Sequence, residues 1–214
     1  MWHSAQMAGL RAKQKADRHT RILEAATELF REHGYDAVKM ETIAANAEVS
    51  IGTIYNYYQN KGDLLVAIVA MEVNEVLASG EKVIARRPKD AGEAIVKLMA
   101  NYVEHSLVYL NKEMWRHAMA ISTQQPESPF GQTFSTLDIA LARQTCKLVE
   151  ALQADGAIRK GVDARALAEL VFNNTNMMFI IFIKSEEMTV KDLMDRIRKQ
   201  TLPVLRALTP AARA

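Results

Sequence analysis

The chain has 214 residues, 49% of them hydrophobic and 24% charged. That is enough apolar material for one large or two modest packed domains, which excludes a disordered chain. The formal charge of +2 is too small to attract nucleic acid by itself, so any such attraction depends on where the charges are placed.

Hydrophobic periodicity is helical almost throughout, with no sustained two-residue alternation and no hairpin dipeptides between apolar runs. The expected fold is all-α with about nine helices. The chain opens on a basic segment, Arg11, Lys13, Lys15, Arg18 and Arg21 against Asp17 alone. Two readings are open: a solvated arm, or an arm that touches phosphates or enters the minor groove. A first helix is predicted over 18–33, with Ile22, Leu23, Ala26, Leu29 and Phe30 on one face and Gly34 as its stop.

The stretch from Ile43 to Lys61 reads as two short helices joined by a tight turn. Helices that cross steeply need a small residue where their backbones meet and branched residues in the corner. Ala44, Val49 and Ile54 supply these. Ser50 is placed to cap the second helix, predicted over 51–58, which leaves Gly52, Thr53, Tyr55 and Asn56 on its first turns. Those are the turns with which a helix-turn-helix reaches bases and phosphates in a major groove.

Asn60 followed by Asp63 marks the cap of a long fourth helix, carrying Leu64, Leu65, Ile68, Val69 and Val76 and ending before Pro88. Helices are then predicted over 91–109, 111–122 and 130–154, with a Pro-containing loop at 124–129. Asp163 caps an eighth helix that runs through Lys184, and Thr189 with Asp192 forms a capping box for a ninth. Pro203 is expected to kink or end that last helix.

The eighth helix is apolar nearly all round from Leu170 to Ile183, which implies burial on opposite sides. With the stripe of Val190, Leu193, Met194 and Ile197 on the ninth, it suits a four-helix contact with a second copy of the chain. The apolar run is shorter than the roughly 20 residues of a membrane span, so no membrane partner is expected. Three asparagines interrupt it. Asn173, Asn174 and Asn176 can fix a dimer register, satisfy one another through water, or bind a ligand.

The residues that carry a family likeness are Ile22, Leu23, Ala25, Ala26, Leu29, Phe30, Gly34 and Tyr35, then Ile43-Ala44, Val49-Ser50, Gly52-Thr53, Tyr55, Tyr57-Tyr58, Lys61 and Leu64. In this order and spacing the chain resembles a TetR-type bacterial transcriptional regulator. The single cysteine, Cys146, excludes an intramolecular disulfide and fits a reducing cytoplasm, and the resemblance implies a homodimer with two parts. Residues 1–60 would form a DNA-binding domain with the helix-turn-helix at about 40–58, and residues 61–214 an effector-binding and dimerisation domain.

Carried onto this chain, the resemblance lays Thr53 and Tyr55 against DNA, puts Tyr58 where an aromatic closes the domain, and sets Lys61 on a phosphate. The full candidate DNA-contact set is Lys39, Thr42, Ser50, Ile51, Gly52, Thr53, Tyr55, Asn56, Tyr57 and Lys61. Two departures stand out. Glu48 occupies the turn position where glycine is usual, which implies either a left-handed residue or another turn geometry. Val38 and Lys39 replace a pair of threonines, removing a side-chain oxygen cap from the second helix and offering a cation instead.

A ligand cavity is expected in the second part, lined by Met99, Tyr102, Val103, Ser106, Trp115, Met119, Phe134, Leu137, Asn173 and Met177, since pockets combine apolar walls with a few polar groups. No catalytic constellation, cofactor motif or metal-ligand spacing is found. Cys146 sits mid-helix without a nearby histidine, no glycine run cradles phosphate, and His105 and His117 fall on separate helices. The expected function is a DNA-binding regulator, a repressor released from double-stranded operator DNA by a small-molecule effector. The alternative is an all-α binding protein or enzyme in which the helix-turn-helix is only structural.

Overall fold

A computed structural model describes residues 2–210, with side chains described from Lys13 onward. Among the described residues there are nine helices and no strand: α1 Trp2–His33, α2 Met40–Asn46, α3 Ile51–Tyr55, α4 Lys61–Ala85, α5 Ala91–His105, α6 Lys112–Gln124, α7 Pro129–Ala154, α8 Ala164–Lys184 and α9 Val190–Leu208.

Most boundaries are chemical. The side chains of Ser50, Asn60, Asp90, Asn111, Ser128 and Asp163 each accept a backbone N–H from the first turn of the helix they precede. Thr189 and Asp192 form the reciprocal capping box expected of them. Gly34 closes α1 and Gly156 follows α7, at φ 82° and 76°, a conformation that favours residues without Cβ.

Two boundaries differ from expectation. The basic segment is not an extended arm, because α1 begins at Trp2 rather than near residue 18. Its alanines, glutamines, lysines and arginines are strong helix formers. Lys13 and Lys15 stand exposed on this helical extension, and the side chain of Arg11 lies outside the described residues. In α9, Pro203 neither ends the helix nor breaks it. Its position is exposed, so solvent can meet the Lys199 carbonyl that loses its donor.

Helices α1 to α3 form a small head around Ile22, Ala26, Phe30, Ile43 and Ile54, all fully buried. The remaining helices pack as a bundle, with α7 laid along both α4 and α8. Gly80 sets the approach of α4 to α7: a Cβ there would stand 2.1 Å from Gln144 Oε1. Gln144 in turn donates to the Leu77 carbonyl at 2.8 Å, locking the two helices in register. Lys112 donates to the Ser185 and Met188 carbonyls at 2.6 and 2.8 Å, satisfying orphan acceptors after the end of α8.

By length and composition α8 is long and apolar enough to cross a membrane, a test that buried core helices also pass, with a mean hydropathy of 1.5 over its most apolar 18-residue window. Only half of that window is buried in the bundle. Leu170, Met177 and Ile181 remain on its outer face beside exposed Asn173, and Val204 is exposed on α9.

Candidate functional site

The turn between α2 and α3 is a complete left-handed cap. Glu48 has φ 54°, its N–H bonds the Ala45 carbonyl at 3.2 Å, and the Val49 N–H bonds the Ala44 carbonyl at 3.0 Å. Of the two readings of Glu48, the left-handed one holds. Its carboxylate sits 3.8 Å from Arg21 in an exposed pair, which ties the turn to α1 only weakly. Lys39 precedes α2 without a side-chain cap bond, as its chemistry requires.

Helix α3 is shorter than predicted, ending at Tyr55 rather than at residue 58. Gly, Thr, Ile and Tyr are weak helix formers, and the chain must turn outward to reach the Asn60 cap. Fully buried Ile54 pins the helix to the head, while Ile51, Gly52, Tyr55 and Asn56 are exposed and Thr53 half-exposed. A Cβ at Gly52 would meet nothing closer than Ser50 Oγ at 3.9 Å. Internal packing therefore does not need glycine there. What it leaves is bare backbone on an outward-facing first turn, suited to a closely approaching partner.

The other candidates separate into two groups. Lys39 and Thr42 are exposed beside α3. Tyr57 and Lys61 are partly occupied: the Tyr57 hydroxyl donates to the Lys15 carbonyl at 3.4 Å, and Lys61 Nζ donates to the Tyr35 and Asp36 carbonyls at 2.8 and 3.0 Å while lying 4.8 Å from the Tyr35 ring centroid. Lys61 is thus a tie within the head, with at most one N–H left over. Tyr58 is buried, with its hydroxyl 2.8 Å from His19 Nε2. These two tyrosines hold the basic turns of α1 beside the exposed helix.

A second site lies within the bundle. A cavity of about 80 Å³ is bounded by all five of α4 to α8. Spacing explains the lining, because residues three, four and seven apart share a helix face. Helix α6 contributes Trp115 and Met119, α7 Phe134, Asp138 and Leu141, and α8 Phe172, Thr175, Asn176 and Phe179. Of the ten expected residues, Tyr102, Val103, Ser106, Trp115, Met119 and Phe134 line it.

The other four do not. Met99 is fully buried in the core and Leu137 packs at its edge, while Asn173 and Met177 point out of the bundle on the exposed face of α8. The asparagines therefore divide, with Asn176 in the cavity wall and Asn173 outside.

Two acids in the wall were missed. Glu72 is 1% exposed; its Oε1 lies 2.8 Å from His105 Nδ1, and its Oε2 is buried without a hydrogen-bond partner. Burial pushes its carboxyl up to about 7 against the pull of His105, with the Glu75 charge adding to the rise. Burial also pushes Asp138 up to about 6. The signal was present in the sequence: each acid stands on an otherwise apolar stripe, Ile68, Val69, Glu72, Val73, Val76 and Phe134, Leu137, Asp138, Leu141.

The cavity connects to the head by two routes. Helix α4 carries Glu72 and begins at the head itself. On α6, Glu113 and His117 face away from Trp115 and Met119 toward the α1–α2 turn. Glu113 Oε1 accepts the Tyr35 N–H at 3.2 Å, and the His117 ring lies 4.6 Å from that of Tyr35. Arg31 also donates to the Val108 carbonyl. His105 and His117 have separate acidic partners, Glu72 with Glu75 and Asp36 with Glu113. A wider hollow of about 1010 Å³ between α1, α2 and α4 is open concave surface, rimmed by Glu24, Glu28, Glu48 and Glu75.

Residues 22–68 match the family model described as bacterial regulatory proteins, tetR family. The chain is 33% identical over 87 residues to the HTH-type transcriptional repressor KstR of Rhodococcus jostii (strain RHA1), an alignment that covers 41% of this chain and 41% of that protein. The match therefore spans about two-fifths of that curated relative.

Among solved structures, a TetR-family transcriptional regulator of Mesorhizobium loti superposes with a TM-score of 0.72 at 20% identity, covering 92% of this chain and 98% of the other. The transcriptional regulator FadR of Bacillus subtilis, solved in complex with stearoyl-CoA, does so with a TM-score of 0.63 at 22% identity, covering 87% and 97%. These two likenesses establish a shared fold from head to bundle. Together, the comparisons match residues 22–68, across the helix-turn-helix, to the tetR family of bacterial regulatory proteins and give the whole chain the fold of these two structures.

Proposed function

We propose that this protein is a dimeric, sequence-specific DNA-binding regulator of transcription acting in the bacterial cytoplasm, a repressor that leaves its operator when a small molecule enters the cavity between α4 and α8. The observation that carries the reading is α3: one buried isoleucine anchors it, and every other side chain of its first turns is turned outward around a glycine that packing does not require. Residues up to about 60 act as the reading head, and the rest binds effector and partner.

The dimer contact is assigned to the outer face of α8, where Leu170, Met177 and Ile181 are exposed, with Val204 of α9 beside it. Two heads joined by such a two-fold contact would place their α3 helices in successive major grooves about 34 Å apart. Release follows from the size of the cavity. At about 80 Å³ it is smaller than the roughly 300 Å³ or more of a drug-sized ligand site, so a larger effector must push its walls apart. Those walls include α4 and α6, both in contact with the head, and the open hollow beside α1 leaves room for a pivot that alters half-site spacing.

An electrophoretic shift series across salt concentration tests the reading. Purified protein should prefer duplex DNA from upstream of its own gene over random duplex, with affinity falling steeply as salt rises. Tyr55→Ala should cost roughly tenfold or more in affinity, comparable to one lost base contact, with an unchanged thermal midpoint because that side chain is exposed. Equal binding to both duplexes would sink the regulator reading in favour of a binding protein or enzyme.

A further inference from the structure

The effector cavity of a regulator whose neighbour in fold was solved with an acyl-CoA has an unexpected polarity here. Glu72 and Asp138 enter the wall from α4 and α7, and among the described residues no basic side chain lines the cavity. Glu72 is 1% exposed, with one carboxylate oxygen held by His105 and the other buried without any partner. Asp138 is partly exposed, and among the described residues it has neither a hydrogen bond nor an ion pair. A buried acceptor left unpaired is unfavourable, so the free oxygen of Glu72 destabilises the chain alone and becomes favourable once a donor occupies the cavity.

The remaining wall narrows the class of donor. Trp115, Phe134, Phe172 and Phe179 all face the same space, and Trp115 and Phe179 meet edge to face with ring centroids 5.3 Å apart. Aromatic faces attract cations and carboxylates neutralise them, a pairing suited to organic ammonium groups. An anionic head would instead meet two carboxyls with no compensating cation.

We propose that the effector carries a cationic amine on an apolar or aromatic body, with the ammonium donating to the free oxygen of Glu72 and to Asp138 among the rings of Trp115, Phe134, Phe172 and Phe179. The proposal rests on the regulator reading only in calling the ligand an effector; the binding site stands on its own geometry.

The test is calorimetry on the full-length protein with two matched series: phenethylamine, 2-phenylethanol and 3-phenylpropionate, then hexylamine, hexanol and hexanoate. The amine should bind at least tenfold more tightly than its alcohol and carboxylate counterparts in at least one series. Glu72→Gln and Asp138→Asn should each shrink that amine-over-alcohol ratio at least tenfold. Two variants on different helices guard against one that fails to fold. A carboxylate that binds as well as its amine, an amine preference unmoved by both variants, or no amine binding at millimolar concentration would each overturn the proposal.

Operator shift assays with the same compounds separate the two readings. Amine binding that leaves DNA in place upholds the site and removes the release step. Specific operator binding with a preference for the carboxylates upholds the regulator and removes the cationic site.

Discussion

Replacing Glu72 with glutamine should remove a pH-dependent penalty from the fold. The carboxyl is buried and bonded to His105, with Tyr102 and Asp138 lining the same cavity and Glu75 one turn along its own helix. Its pKa is raised from 4.5 to about 7, mainly because burial disfavours the charged form. Between those values the unfolded chain has lost the proton and the folded chain retains it, so stability falls as pH rises through that window. At about 1.4 kcal/mol per pH unit the loss amounts to roughly 3 kcal/mol.

Glutamine keeps an oxygen to accept from His105 and removes the charge. Urea unfolding of both proteins, followed by far-UV circular dichroism at one fixed protein concentration, measures the difference. Stability of the wild type relative to Glu72→Gln should decline by roughly 2–3 kcal/mol from about pH 5 to about pH 7.5. Asp138→Asn, measured alongside, isolates the contribution of the other raised carboxyl, which falls in a lower window because its pKa is about 6. A difference that is flat or rising across this range would refute the claim that Glu72 is held in a dry, under-compensated site.

Glu48→Gly should stabilise the head by about 1 kcal/mol, because the residue at φ 54° no longer strains a Cβ. It should also strengthen operator binding by removing a negative charge beside α3; a lowered thermal midpoint would contradict the assigned backbone. Leu170→Glu or Met177→Glu, on the exposed face of α8, should yield monomers in sedimentation experiments, and an unchanged dimer would displace the interface. Val171 and Phe179, both buried, are unsuited to that test because a charge there would damage the core. Glu113→Gln weakens the acceptor that holds the Tyr35 N–H. It should leave operator affinity nearly unchanged while blunting release by effector, measured as the shift in operator Kd with saturating ligand.

Much of the secondary structure was legible because helix ends are local chemistry. Asn60, Asp163 and the Thr189–Asp192 box cap as their side chains dictate within three or four residues. The head was legible for a related reason: a short helix-turn-helix allows few ways to fill its corner, and Ala44, Val49 and Ile54 fill it. What stayed open in the sequence is what a distant contact decides. Whether Lys61 faces a phosphate or the Tyr35 carbonyl depends on where the α1–α2 turn lies. Asn173 and Asn176 look alike in sequence and lie only about 60° apart around α8, so it is the packing of the neighbouring helices that leaves one outside the bundle and puts the other in the cavity wall.

By itself the sequence determined about nine helices, the caps at Ser50, Asn60, Asp163 and Thr189 and a helix-turn-helix in the head, because periodicity and capping act over a few residues. The tertiary structure alone decided which faces of α4 to α8 meet in one cavity, and with that the pairing of Glu72 with His105 and the placing of Asp138 in the same wall. These groups come from separate helices, and burial by neighbours far along the chain is what raises the pKa of two ordinary carboxyls in one cavity wall.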